Sequence, residues 1–118
     1  MPRGFDEIIK FRLEIVKLAE DWEKWVKRIA DASRRVLGES EVYVFGSIVE
    51  GRATGGSDVD ILIVSSNVPE KVGARSRVKA VIEEEAGLPL YHPFQIHLAT
   101  PREAEWYRRH MKRYVRVE

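Results

Sequence analysis

Cysteine is absent from the 118 residues, which excludes disulfide bonds, thiolate zinc sites and cysteine nucleophiles. No apolar run approaches the roughly 18 residues that a membrane helix needs, and the N-terminus lacks the hydrophobic region of a signal peptide. An excess of charge of one sign is also lacking, because the chain has 20 Lys and Arg residues and 19 Asp and Glu residues, which give a net charge of +1. We therefore expect a cytoplasmic protein with no membrane contact, and nucleic acid is the least favoured of its possible partners.

Glycine and proline are missing between Phe5 and Leu37. Apolar residues recur there at alternating steps of three and four, which predicts helix: Ile8, Phe11, Ile15, Leu18, Trp22, Trp25, Ile29, Ala32 and Val36. An unbroken helix of this length would measure about 50 Å and overhang a domain whose radius of gyration is about 13 Å. Either the helix breaks near Glu20-Asp21, or another subunit covers its surplus apolar surface. We expect an N-terminal helical arm over about 5–37 that serves association, the alternative being two helices packed within the monomer.

The rest of the chain alternates between strand and helix patterns. Strands are predicted over 41–45, 58–64 and 93–99, and helices over 72–86 and 101–114. Thr100-Pro101-Arg102-Glu103 has the capping-box pattern for the start of the last helix. This order predicts one α/β (α+β) domain over 1–118, with a small mixed sheet of three or four strands and helices on one face. The core over about 41–118 would carry the chemistry.

Two short motifs suggest a site. Asp58 and Asp60 stand two residues apart at the start of an apolar strand, so both side chains project from one face. Neighbouring carboxylates repel each other unless a cation lies between them, and oxygen ligands of this kind suit Mg²⁺ (or Mn²⁺). Upstream, Gly46 permits close backbone approach, and Ser47 offers a hydroxyl and an amide to a phosphate. A phosphate cradle beside a dicarboxylate metal site implies phosphoryl or nucleotidyl transfer.

Taken singly, each motif has an ordinary structural interpretation. A Gly-Ser pair is usually a turn, and Asp-x-Asp is more often a solvated strand end than a metal site. The combination is more specific, because a plain hairpin loop explains the glycines between Gly46 and Ser57 but does not explain two acids facing one way. Arg52 lies in the connecting loop, where a guanidinium could bind phosphate in a bidentate manner, and a solvated loop arginine is the alternative.

Gly46-Ser47, ten intervening residues and Asp58-Val59-Asp60 resemble the signature of the DNA-polymerase-β-like nucleotidyltransferase superfamily, and most of all its minimal nucleotidyltransferase branch. The resemblance covers roughly 42–100. It implies the polymerase-β-type fold and transfer of a nucleoside monophosphate, AMP in the first instance, from an NTP such as ATP. By position, Gly46, Ser47 and Ser57 would bind the triphosphate, and Asp58 and Asp60 would bind the metal. It also implies a helical HEPN-type toxin as protein partner, although a homo-oligomer fits the N-terminal arm equally well.

The sequence departs from the family at one position. The family places a third acid on a later strand, and the outward residue there is Gln95, which can neither accept a proton nor add charge to a metal. His97 points the same way and is a candidate base, the alternative being a partly exposed strand histidine. Activity could therefore be weakened. A nucleotide-binding antitoxin or regulatory subunit that acts by association is the second hypothesis.

Overall fold

The computed structural model describes residues 3–54 and 57–118, so Gly55 and Gly56 of the predicted glycine-rich loop lie outside the described residues. Five helices and four strands make up this part of the chain. In order they are α1 (Arg3–Glu20), α2 (Trp22–Leu37), β1 (Glu41–Phe45), α3 (Ser47–Glu50), β2 (Val59–Val64), α4 (Val72–Glu85), β3 (Phe94–Ala99), α5 (Pro101–His110) and β4 (Tyr114–Val117). None of these helices is both long and apolar enough to cross a membrane.

The N-terminal helix breaks at Asp21, one of the two outcomes that its length predicted. Asp21 leaves helical geometry with φ −89° and ψ 24°, and α2 starts at the next residue. α2 packs against the sheet, and Val26, Ile29 and Ala30 are fully or almost fully buried. The first half of α1 is exposed instead, and the molecule measures 52 Å along its longest axis. The apolar surface of α1 is therefore largely left to solvent.

The four strands form one mixed sheet in the order β3-β2-β1-β4. β1 runs antiparallel to β2 and to β4, whereas β2 and β3 are parallel and are connected through α4. In this register Asp60 of β2 lies opposite Phe45 of β1 on one side and Gln95 of β3 on the other. The sheet thus brings together the ends of the segments that carry the predicted site.

The two faces of the sheet differ. Alternate residues such as Val44, Ile61 and Ile96 enter the main core beneath α2 and α4, as the helix-on-one-face prediction requires. α5 is the exception to that prediction, because Ala104 packs on the opposite face against Leu62 and its neighbours. It covers only part of this face, and Asp60 and Gln95 lie beyond it.

The C-terminal segment corrects one prediction. The last helix begins at the Thr100 capping box, as predicted, but it ends at His110 and does not reach Tyr114. The residues 114–117 form β4 on the edge of the sheet. Tyr114, Val115 and Val117 favour a strand, and pairing with β1 satisfies backbone groups that would otherwise face solvent. The basic residues Arg108, Arg109 and His110 therefore lie at the end of a helix, whereas Arg116 lies in an edge strand.

Candidate active site

Gly46 and Asp60 are in direct contact, and this contact is the centre of the site. Gly46 has φ +87° and ψ −159°, a conformation that is essentially limited to glycine. A methyl group at this α-carbon would lie 2.5 Å from Oδ2 of Asp60. The backbone therefore turns away from β1 against the carboxylate, and only glycine fits both the dihedral angles and the space.

Ser47 begins the short helix α3 directly after this turn. The amides of Val49 and Glu50 donate to the Gly46 carbonyl at 3.2 and 3.1 Å, which closes the first turn. The Ser47 carbonyl accepts from the Arg52 amide at 3.1 Å and fixes the far end of the segment. The amide and hydroxyl of Ser47 consequently lie at the start of a helical turn whose preceding residue contacts Asp60.

Asp58 and Asp60 flank the fully buried Val59. Asp58 is exposed and precedes β2 by one residue, whereas the Asp60 side chain is 32% exposed. Because side chains alternate along extended backbone, both acids lie on the sheet side opposite Val59. The Val59 amide donates to the Pro93 carbonyl at 2.8 Å, so the backbone between the two acids is bound to the segment that leads into β3.

His97 and Gln95 approach Asp60 from β3. The Nε2 atom of His97 lies 3.4 Å from Oδ1 of Asp60, and the histidine side chain is 35% exposed. Gln95 occupies the predicted third-acid position next to Asp60 in the sheet register and is exposed. The two oxygens of Asp60 thus have different surroundings, since Oδ1 faces an imidazole and Oδ2 faces the Gly46 backbone.

The structure does not join Arg52 and Ser57 to this cluster. The Arg52 guanidinium is 65% exposed and binds Glu50 at 2.8 Å. The Ser57 hydroxyl accepts from the Thr54 amide at 2.9 Å, and Ser57 lines a cleft of about 320 Å³ between α1 and the loop. Both residues shape the loop in this arrangement.

Sequence reasoning missed the aromatic surroundings of His97. Its ring lies 5.5 Å from Phe45 and 5.8 Å from Tyr107, measured between ring centroids. Burial is the main cause that raises the pKa of the Tyr107 phenol, and the charge of Glu103 adds to it, so the phenol is neutral at physiological pH. Phe45 follows the period-two pattern of β1, a signal that could have placed it on this face, but the position of α5 could not be read from the sequence.

A second contact that the sequence did not predict supports the strand beside the site. His92 is almost fully buried, its Nδ1 atom accepts from the Phe94 amide at 3.1 Å, and Nε2 contacts Glu83 of α4. The accepting role of Nδ1 assigns the proton to Nε2, which donates to the carboxylate. His92 therefore joins α4 to the start of β3, next to the Pro93 carbonyl that binds Val59.

The acids present fit a hard divalent cation. Among residues 3–54 and 57–118, no group of three or more His, Asp or Glu side chains could hold a metal ion. A cation bound by Asp58 and Asp60 would complete its coordination with water and phosphate oxygens. Mg²⁺ commonly binds in this way, through one or two carboxylates and the substrate phosphates.

Comparison with known proteins bears on the fold and the family. A family model described as a nucleotidyltransferase domain matches residues 26–115, which contain every predicted site residue and exclude α1. One solved structure, named provisionally as a nucleotidyltransferase, is 29% identical with a TM-score of 0.62 and covers 78% of this chain and 96% of its own. A second, from Sulfolobus solfataricus and named in the same provisional way, is 25% identical with a TM-score of 0.54, covering 92% and 83%. No curated protein matches the chain. The predicted fold is confirmed.

Proposed function

Because the chain belongs to the nucleotidyltransferase domain family, we propose that it is a minimal nucleotidyltransferase that moves AMP from ATP to a hydroxyl acceptor. Gly46 and Ser47 bind the triphosphate, and Asp58 and Asp60 are the ligands of Mg²⁺ or Mn²⁺. The bound cation neutralises charge on the transferring phosphate. Residues 41–118 form the catalytic core of a single domain.

In the proposed reaction, the acceptor hydroxyl oxygen attacks the α-phosphorus. A new phosphorus–oxygen bond forms, the bond to the β-phosphate oxygen breaks, and pyrophosphate leaves. The hydroxyl proton passes to the His97 imidazole, whose Nε2 atom lies 3.4 Å from Oδ1 of Asp60 and donates to that carboxylate, so the other ring nitrogen, Nδ1, is the acceptor. Gln95 keeps no proton-accepting role and can donate a hydrogen bond to the acceptor from its exposed position.

The contact between Gly46 and Asp60 is the observation that carries this proposal. An ordinary hairpin has no need for a glycine whose α-carbon touches a half-buried carboxylate. The arrangement suits a phosphate bound at Ser47 beside a cation held by Asp60, because the cation would neutralise negative charge on the phosphate. His97 alone would not distinguish this site from a structural ion pair.

Isothermal titration with ATP and Mg²⁺ tests the site. We expect Asp60→Asn and Asp58→Asn to abolish magnesium-dependent ATP binding. Each asparagine has nearly the size of the aspartate that it replaces but lacks the negative charge of an oxygen ligand. Asp31→Asn is the matched control, since Asp31 is an exposed acid on α2 whose ion pair with Arg34 contributes little. Equal binding by all four proteins would refute the metal-site assignment.

A weakened enzyme is the second candidate, and Gln95 favours it. With a neutral amide in place of the third acid, the protein would still bind nucleotide but would catalyse transfer weakly or not at all. It would then act as an antitoxin or regulatory subunit. Phe5, Ile8 and Leu13 on α1 are 51%, 57% and 63% exposed, and they offer an apolar surface to a HEPN-type partner protein. The alternative is that a second copy of the chain covers this surface and forms a homo-oligomer through α1. The mass of the purified protein, measured by light scattering, distinguishes a homo-oligomer from a chain that awaits a partner protein.

Labelled ATP discriminates between the enzyme and the binding subunit. The chain is incubated with ATP labelled at the α-phosphate together with the protein encoded beside it, and covalent label on the acceptor identifies an enzyme. We expect Gln95→Glu to raise the transfer rate about tenfold or more, because a positioned base contributes at least this much. A variant that binds ATP normally and gains no rate would show that the missing acid does not limit transfer.

A further inference from the structure

A row of aromatic rings leads away from Asp60 across the sheet face and onto α5. Tyr107 lies 5.8 Å from His97 and 6.4 Å from Phe45, and Trp106 lies 5.1 Å from Tyr107. We call Phe45, His97, Tyr107 and Trp106 the aromatic shelf. Its inner end is the imidazole that contacts Asp60, so whatever binds on the shelf lies beside the proposed reaction centre.

Trp106 is the member of the shelf that offers an exposed ring to a planar ligand. Trp106 is 52% exposed, the largest exposure among the three tryptophans, because Trp22 and Trp25 are partly buried. His110 stacks on one face of Trp106 with 4.1 Å between ring centroids and an interplanar angle of 21°. This stack holds the indole in one orientation, and Tyr107 at its edge stays uncharged because burial raises its pKa.

A nucleobase matches this surface better than a charged or aliphatic group. Every base has a π-face that stacks on aromatic side chains, and such stacking is tolerant of base identity. Where the family has a third acid, this chain has the neutral Gln95. A flat uncharged ring can therefore approach along β3 without meeting a carboxylate at that position.

We propose that the aromatic shelf is the base-binding subsite, which stacks the nucleobase of a nucleotide bound at the reaction centre. The inference rests on the proposed function, since the phosphate end of that nucleotide is assigned to Ser47 and Asp60. The base can belong to the donor triphosphate or to a nucleotide acceptor. Both present the same ring chemistry, and the experiment distinguishes them.

Titration calorimetry with three probes tests the shelf. Mg²⁺–ATP contains phosphates and base, Mg²⁺–tripolyphosphate contains only the phosphates, and the dinucleotide ApA represents an acceptor without a triphosphate. The main variant is Trp106→Ala, whose exposed position leaves the core intact, and Trp106→Phe is the matched control that restores a ring. Thermal unfolding of each protein establishes that the variants are folded.

We expect Trp106→Ala to weaken ATP binding about 5- to 150-fold, the range that stacking of one base corresponds to, while tripolyphosphate binding is unchanged. Trp106→Phe should recover most of the affinity. Loss confined to ApA assigns the shelf to the acceptor base and also supports the proposal. Unchanged binding of both ATP and ApA by a folded Trp106→Ala protein overturns it.

The two proposals fail in different ways. If the unaltered protein binds ATP and tripolyphosphate and Trp106→Ala changes neither ATP nor ApA binding, the shelf is refuted and the phosphate site stands. If the unaltered protein binds neither ATP nor tripolyphosphate but binds ApA through Trp106, the proposed function is refuted and a base-binding surface remains. Absence of binding by all three probes refutes both.

Discussion

Replacing Gly46 with alanine is the most direct test of the site geometry. The substitution imposes a side chain on a glycine-only backbone conformation, at a cost of about 1–3 kcal/mol. The new methyl group would also lie 2.5 Å from Oδ2 of Asp60, and the two atoms must separate by about 1 Å to reach ordinary contact. The Asp60 backbone is held within β2 between two paired strands, so the carboxylate must rotate about its side-chain bonds to relieve this contact, at a cost of about 0.5–1.5 kcal/mol. We therefore expect a total loss of about 2–4 kcal/mol, or roughly 8–16 °C in Tm.

Gly38→Ala is the matched control for the backbone term. Gly38 has φ +78° and ψ −135°, and an added methyl group would meet only the Asn67 amide nitrogen at 3.8 Å. This variant should lose about 1–3 kcal/mol and keep magnesium-dependent ATP binding. Gly46→Ala should lose both stability and ATP binding, because the Asp60 carboxylate is displaced from its position beside Gly46.

A double-mutant cycle isolates the collision. Asp60→Ala removes the oxygen that the new methyl group would strike, so Gly46→Ala should cost less stability in the Asp60→Ala background. The expected coupling is about 1–2 kcal/mol, measured by urea unfolding of the four proteins. Strictly additive losses, or a Gly46→Ala protein that binds ATP like the unaltered chain, would refute the contact as described.

Two further predictions concern contacts that support the site. The Glu103 carboxylate accepts from Arg75 and caps α5, and these bonds lower its pKa from 4.5 to about 2. Its stabilising contribution is therefore complete above pH 4.5 and is lost as the pH falls through 2. Glu103→Gln should be less stable than the unaltered chain at pH 7, by no more than about 1 kcal/mol for so exposed a group. In thermal melts this difference should shrink below pH 4.5 and disappear below pH 2. His92→Ala leaves the Phe94 amide and Glu83 without their hydrogen-bond partner, and it should lower the free energy of unfolding in urea by about 2 kcal/mol. Glu83→Gln keeps an acceptor for Nε2 of His92 and should cost less. Equal losses in the two variants would contradict the assigned tautomer.

The elements with clear local signals could be predicted from the sequence. The period-two pattern of β3 placed Phe94, Ile96 and Leu98 on one face, and they pack toward the main core as expected. The capping box at Thr100 likewise located the start of α5, because both of its hydrogen bonds are local. Such signals depend on neighbours along the chain, so they can be read from the sequence without knowledge of the tertiary structure.

Other features depend on contacts between distant segments. The last helix was predicted to reach Tyr114, whereas pairing with β1 makes residues 114–117 a strand. Phe45 and Tyr107 meet at His97 only because α5 crosses the second face of the sheet. The acids and the Gly-Ser pair were found from their spacing, but the atoms that touch Asp60 could be named only from the structure.

The sheet register gives a physical reason for the spacing of the motif. Phe45 lies opposite Asp60, so extending the same antiparallel register by two positions brings Ser47 level with Asp58. The chain does not extend in this way, because Gly46 turns away at φ +87° and α3 follows. The turn proposed to bind phosphate and the two carboxylates thus lie at the end of one hairpin, and the glycine is required because Asp60 occupies the room that a side chain would need.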